Sequence, residues 1–121
     1  MRFSDAYKAA VAIAPNDAAT AAQTATVDAV PESGALAFVV AFTTEASITP
    51  KITVKGYNGS AYEDVEVKTY SAKRSDNTYV VDVDAEPKYT KFQLKVEGSA
   101  AGTFAVAACA VWRRRYASAE A

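Results

Sequence analysis

"LAFVVAFT", residues 36–43, places Leu36, Phe38, Val40 and Phe42 at every second position, with Ala37, Val39, Ala41 and Thr43 between them. On a helix those four large side chains would be spread around the axis. On a strand they line one face. Because the alternate face is also apolar, the spacing predicts a strand covered on both sides, in the middle of a sheet. "TFAVAACAVW", residues 103–112, repeats the pattern, with Phe104, Val106, Ala108, Ala110 and Trp112 on one face and small residues on the other. A second central strand follows.

Outward from these two, the chain keeps the period of two. "KITVKGY" turns Ile52 and Val54 inward and Lys51, Thr53 and Lys55 outward, and "EDVEVKTY" sets Val65 and Val67 against Glu66 and Lys68. Between them, Asn58-Gly59 in "GYNGSAY" supplies the positive φ angles of a tight hairpin turn. "TYVVDVDAE" presents Tyr79, Val81 and Val83 on one side and Val80, Asp82 and Asp84 on the other, before Pro87 closes the strand. "YTKFQLKVE" opposes Tyr89, Phe92, Leu94 and Val96 to Lys91, Gln93, Lys95 and Glu97, and its offset between Tyr89 and Phe92 implies a bulge or a late strand start. With "TATVDAV", and with "AVAIA" as an eighth, the count is seven to eight short antiparallel strands. The fold class expected is all-β, an antiparallel β-sandwich of the jelly-roll or Ig-like kind.

The first 26 residues lack this regularity. "DAYKAAVAIAP" suits either a short helix capped by Ser4 or Asp5 or an extended arm stopping at Pro15, and the extended arm is the reading adopted. "NDAATAAQTAT" has no period and reads as a linker or a strand edge. The organisation expected is an N-terminal arm and linker over 1–26, a sandwich domain over 27–116 and a tail over 117–121.

A chain of 121 residues suffices for one two-layer core. Thirteen Lys and Arg against fourteen Asp and Glu leave a net charge of −1, so no global field draws the protein to nucleic acid or an anionic membrane. With no histidine, the commonest general base and metal ligand is missing. The sequence has no phosphate loop, no paired-cysteine zinc spacing and no dinucleotide fingerprint. These absences argue against an enzyme, a metal site and a cofactor. Cys109, the only cysteine, has apolar neighbours and reads as a buried, inert thiol. No apolar run approaches the roughly 20 residues of a membrane helix, and "MRFSDAYKAAVAIAP" lacks the continuous apolar stretch of a signal peptide. A soluble product made in the cytoplasm is expected.

Three groups of residues remain as candidate sites. In "VWRRRYASAE" the strand parity sends Arg113 and Arg115 to one face and Arg114 to the other with Trp112, so the triplet is split. Arginine beside Trp112 and Tyr116 is the composition of a protein interface, and Arg2, Phe3, Tyr7 and Lys8 of the arm join them as candidate contacts. Tyr57, Tyr62, Tyr70 and Tyr79 flank loops and form a candidate sugar-stacking edge. Asp82, Asp84 and Glu86 share a face, but a flat ladder wraps a cation poorly, and cross-strand pairing with Lys91 and Lys95 explains them more simply.

From about Ala25 to Arg115 the chain resembles the small β-sandwich proteins of tailed bacteriophages that serve as capsid decoration or auxiliary head proteins. The resemblance is carried by "ATVDAV", "LAFVVAF", the "ITVKGYNGSAYEDV" hairpin, "YVVDVDAEPKYTKFQLKV" and the alanine- and valine-rich closing strand. It implies a non-enzymatic virion protein on the capsid exterior that binds the major capsid protein and self-associates as a homo-oligomer, with a trimer among the options. A carbohydrate-binding sandwich module is the alternative.

Overall fold

The computed structural model describes residues 7–27, 35–44, 47–84, 86 and 88–113. Its regular elements are all strands: β1 (Tyr7–Ala19), β2 (Gln23–Val27), β3 (Ala35–Thr43), β4 (Pro50–Tyr57), β5 (Tyr62–Thr69), β6 (Thr78–Asp84), β7 (Lys91–Gly98) and β8 (Phe104–Arg113). They build two four-stranded antiparallel sheets, ordered β1-β8-β3-β6 and β2-β7-β4-β5. The protein is a β-sandwich.

Pairing is nested. β4 pairs with β5, β3 with β6, β2 with β7 and β1 with β8, so the chain behaves as one long two-stranded ribbon closed at the β4–β5 hairpin. Folding that ribbon over itself adds the β3–β8 and β4–β7 ladders. Each of β3, β8, β4 and β7 therefore has two neighbours, and β1, β6, β2 and β5 are edges.

The period of two decides which side chains meet in the middle. Leu36, Phe38, Val40 and Phe42 of β3 and Phe104, Val106, Ala108, Ala110 and Trp112 of β8 are buried, as are Ile52 and Val54 of β4 and Phe92, Leu94 and Val96 of β7. Phe42 stacks on Phe104 at 4.8 Å between ring centroids. Tyr79 is buried too, and its hydroxyl accepts a hydrogen bond from the Arg74 amide at 2.9 Å, which satisfies the one polar atom its ring carries inward.

The segment expected as an arm and linker supplies two strands. β1 runs through Pro15, the residue expected to stop it, because β1 is an edge strand and proline's missing N–H costs nothing on a side with no partner. The pairing of β1 with β8 slips between Val11 and Ile13, between Ile13 and Asn16, and between Asn16 and Ala19. Ala12 is the extra residue of the first slip. It reverses the parity, so Val11 faces out and Ile13 faces the core.

A similar slip corrects β5. Val54 pairs with Glu66 and Lys55 with Asp64, so Val65 is the extra residue, and Val65 and Val67 do not share a face. Val65 packs against the core, whereas Val67 points outward, 47% exposed. Glu66 and Lys68 then lie on the inner side at the sheet margin and pair at 3.6 Å. Inward-leaning charges on an edge strand discourage a further strand from adding there.

The hairpin lies where expected, with a different turn. Tyr57 pairs with Tyr62, leaving a four-residue loop, 58–61, in which Gly59 alone has positive φ, at +100°. Asn58 contributes through its side chain, whose Oδ1 accepts from the amides of Ser60 and Ala61, both at 3.0 Å. β7 starts late, at Lys91, and Tyr89 ahead of it lays its ring across Gly56 of β4. A Cβ at position 56 would stand 2.4 Å from Tyr89 Cδ1. Gly56→Ala should thus lower unfolding stability by about 1–3 kcal/mol through overpacking, read from urea midpoints, and the same change made together with Tyr89→Ala should add little further loss.

Candidate interaction surface

The outward side of the β1-β8-β3-β6 sheet is built from the small alternate residues of its strands. Register places them in rows that cross all four strands. Val11, Cys109, Val39 and Val80 form one row, since Val11 pairs with Cys109, Cys109 with Val39, and Val39 with Val80. Ala9, Val111, Ala37 and Asp82 form the next, and on the other side Ala107, Ala41 and Thr78 continue the surface. Val11 and Val80, at the two edges, are 73% and 58% exposed. Between them runs a shallow apolar groove lined by Val11, Pro15, Val39, Ala41, Ala107 and Cys109.

One end of this face carries charge of both signs. Tyr7 pairs with Arg113 on the β1–β8 side, and Asp82 and Asp84 project from β6 on the other. Tyr7, Ala37, Asp82, Val111 and Arg113 contribute to a second depression there.

The outer side of the β2-β7-β4-β5 sheet is the opposite in kind. Its rows include Thr26, Gln93, Lys55 and Asp64, then Thr24, Lys95, Thr53 and Val67, with Lys51 and Glu97 beyond. Lys51 and Lys95 both reach Glu97, at 3.8 and 3.6 Å, and Lys55 reaches Asp64 at 4.0 Å. Such half-exposed pairs add little stability. They do make a hydrated surface, one sheet away from an apolar one.

This asymmetry revises the sequence reading of β3 and β8. Both are central within their sheet, but among the described residues no element covers their outer face. Alanine, valine and threonine are equally compatible with a covered face and with one that meets a partner. Cys109 belongs to that face and is half-buried, where a fully buried thiol was expected.

The other candidates are distributed as follows. Trp112 is 7% exposed and points into the sandwich across from Leu36, so it supports the core and is not a contact. Arg113 is exposed on the opposite side of β8, as the parity predicts. Lys8 pairs through its backbone with Trp112. Arg2, Phe3, Arg114, Arg115 and Tyr116 lie outside the described residues.

The four tyrosines do not converge. Tyr57 and Tyr62 meet at 5.1 Å beside the hairpin, with Lys91 Nζ 4.8 Å from the Tyr57 ring and 6.0 Å from the Tyr62 ring. Tyr70 lies beyond the far end of β5, against buried Tyr79 at 4.7 Å. The eight residues of β5 separate the two pairs. That spacing amounts to roughly 25 Å at strand rise.

Asp82 and Asp84 cannot pair across strands with Lys91 and Lys95, because β6 and β7 belong to different sheets. Lys91 covers the tyrosines, Lys95 pairs with Glu97, and Glu86 pairs with Lys88 at 3.5 Å. Among the described residues no group of three His, Cys, Asp or Glu could hold a metal ion. Among the described residues, too, no helix is long and apolar enough to cross a membrane.

One polar cluster escaped the sequence reading, because its members come from β5, the hairpin loop and the approach to β7. Tyr89 Oη donates to Glu63 Oε1 at 2.5 Å, Lys88 Nζ stands 3.1 Å from the same oxygen, and Asn58 Nδ2 donates to Oε2 at 3.3 Å. The Tyr89 hydrogen bond foremost, and then Lys88, hold the Glu63 carboxyl below its ordinary pKa. The cluster clamps the start of β7 onto the hairpin.

Compared with known proteins, the chain matches no family model, no curated protein and no solved structure.

A carboxyl whose pKa is lower folded than unfolded stabilises the fold above the unfolded value, 4.5, and loses that contribution as pH falls through the folded one. Glu63→Gln should accordingly melt below wild type at neutral pH, with the gap closing as acid protonates Glu63. A gap that held constant from neutral pH to well below that value would refute the assignment.

Proposed function

We propose that this chain is a non-enzymatic structural subunit of a virion, a jelly-roll sandwich that attaches to the exterior of an assembled phage capsid. Eight strands with nested pairing and the sheet orders β1-β8-β3-β6 and β2-β7-β4-β5 support the jelly-roll reading over an Ig-like one. The observation that carries the functional reading is the outer face of the first sheet. An apolar surface running across four strands, with Val11 and Val80 standing out from it, is an assembly surface by its chemistry.

Shape and apolar contact would do the work. Attachment to the major capsid protein falls to the end of the sheet where β1 begins at Tyr7 and β8 ends at Arg113. The same composition suits self-association. A sugar-binding role finds less support, because Lys91 already sits over the half-buried pair Tyr57 and Tyr62, and Tyr79 is inaccessible.

Cosedimentation with expanded shells of the phage that encodes the chain tests this reading. Saturable pelleting is expected, weakening several-fold as salt is raised. Protein that stays in the supernatant at every concentration would overturn the proposal.

A further inference from the structure

The apolar face has a symmetry that suggests what covers it. We infer that the outer face of the β1-β8-β3-β6 sheet binds a second copy of itself, face to face, about a twofold axis running parallel to the strands between β8 and β3. The inference rests on reading that face as an assembly surface, and it names the partner.

Three observations point to a second copy. The first is the row Val11, Cys109, Val39 and Val80. A twofold along the strands reverses the strand order and keeps each row at its own height. The partner's β6 then lies over β1, so its Val80 meets Val11, and its Val39 lies over Cys109. The two protruding valines at the sheet edges, 73% and 58% exposed, each find the other across the axis.

The second is charge. Arg113 lies on the β1–β8 side of the face, and Asp82 and Asp84 lie on β6 at the same end. The same rotation brings the partner's acidic edge over the basic side, twice by symmetry. A twofold across the strands would instead lay Arg113 over Ala105 and Asp82 over Thr78, with like strands facing each other. The axis along the strands is thus the one that sets the acidic edge of each copy beside the basic side of the other.

The third is size. Four strands at about 4.8 Å spacing and about nine residues of length give a flat area on the order of 600 Å² before side-chain relief is added. A stable interface needs about 800 Å² of accessible surface per partner. Alanines at 37, 41 and 107 let the two sheets approach as the layers of a sandwich do.

The experiment uses the full chain. Sedimentation velocity across a concentration series should show particle mass doubling, and Val39→Arg should return it to monomer. As a readout that needs no variant, the thiol of Cys109 should lose reactivity toward a water-soluble disulfide reagent as protein concentration rises. The axis is read by mixing: in a Cys109→Ser background, Val11→Cys chains should oxidise to a covalent dimer with Val80→Cys chains and not with themselves.

A monomer at every concentration, with a thiol rate that never changes, would overturn the inference. So would Val11→Cys chains that link only to each other, since that outcome belongs to the axis across the strands. A monomer that still pellets with capsid shells would defeat the inference and leave the attachment reading standing. A dimer that ignores shells would do the reverse.

Discussion

Everything in this fold depends on one constraint: the space between the two sheets must be dry, and only residues at every second position of each strand can reach it. β3 and β8 meet the constraint most fully, with Phe38, Val40, Phe42, Val106, Ala110 and Trp112 all turned inward. Their ladder is also the seam where the folded ribbon closes on itself. Once those two strands commit their large side chains to the interior, their small ones are committed to the outside. The apolar outer face is thus a consequence of the residues left over, and its composition is what function can act on.

Much of this was legible in the sequence. The inward faces of β3, β4, β6, β7 and β8 follow from alternation alone, because large apolar and polar side chains differ enough to mark a face. Where alternation fails, the reason is local. Ala12 and Val65 are inserted residues in edge strands, and a one-residue insertion exchanges the two faces without altering composition. Pro15 looked like a terminator because its tolerance depends on β1 being an edge, a property of the finished sheet.

The surface was harder to read. Alanine and valine facing outward on β3 and β8 carry no mark that separates a covered strand from an open one, and Cys109 shared that ambiguity. The rows that align Val11 with Val80 depend on pairings between segments distant in the chain. So does the Glu63, Tyr89 and Lys88 cluster. Expected cross-strand pairs between Asp82 or Asp84 and the lysines of β7 failed for the same reason: β6 and β7, though consecutive, lie in different sheets. Nested pairing brings the first strand beside the last, and no short-range pattern reports it.

The two outer faces divide the labour of the molecule. Lysines paired with Glu97 and Asp64 keep one sheet hydrated, and the other is the face proposed for contact. Side-chain footprinting by a diffusible carbene, applied to the dispersed and the assembled protein, measures this directly. The account predicts that labelling of Val11, Val39, Val80 and Cys109 falls on assembly while Lys51, Lys55 and Lys95 label as before. Protection confined to the lysine-bearing sheet, with the apolar face equally labelled in both states, would contradict it.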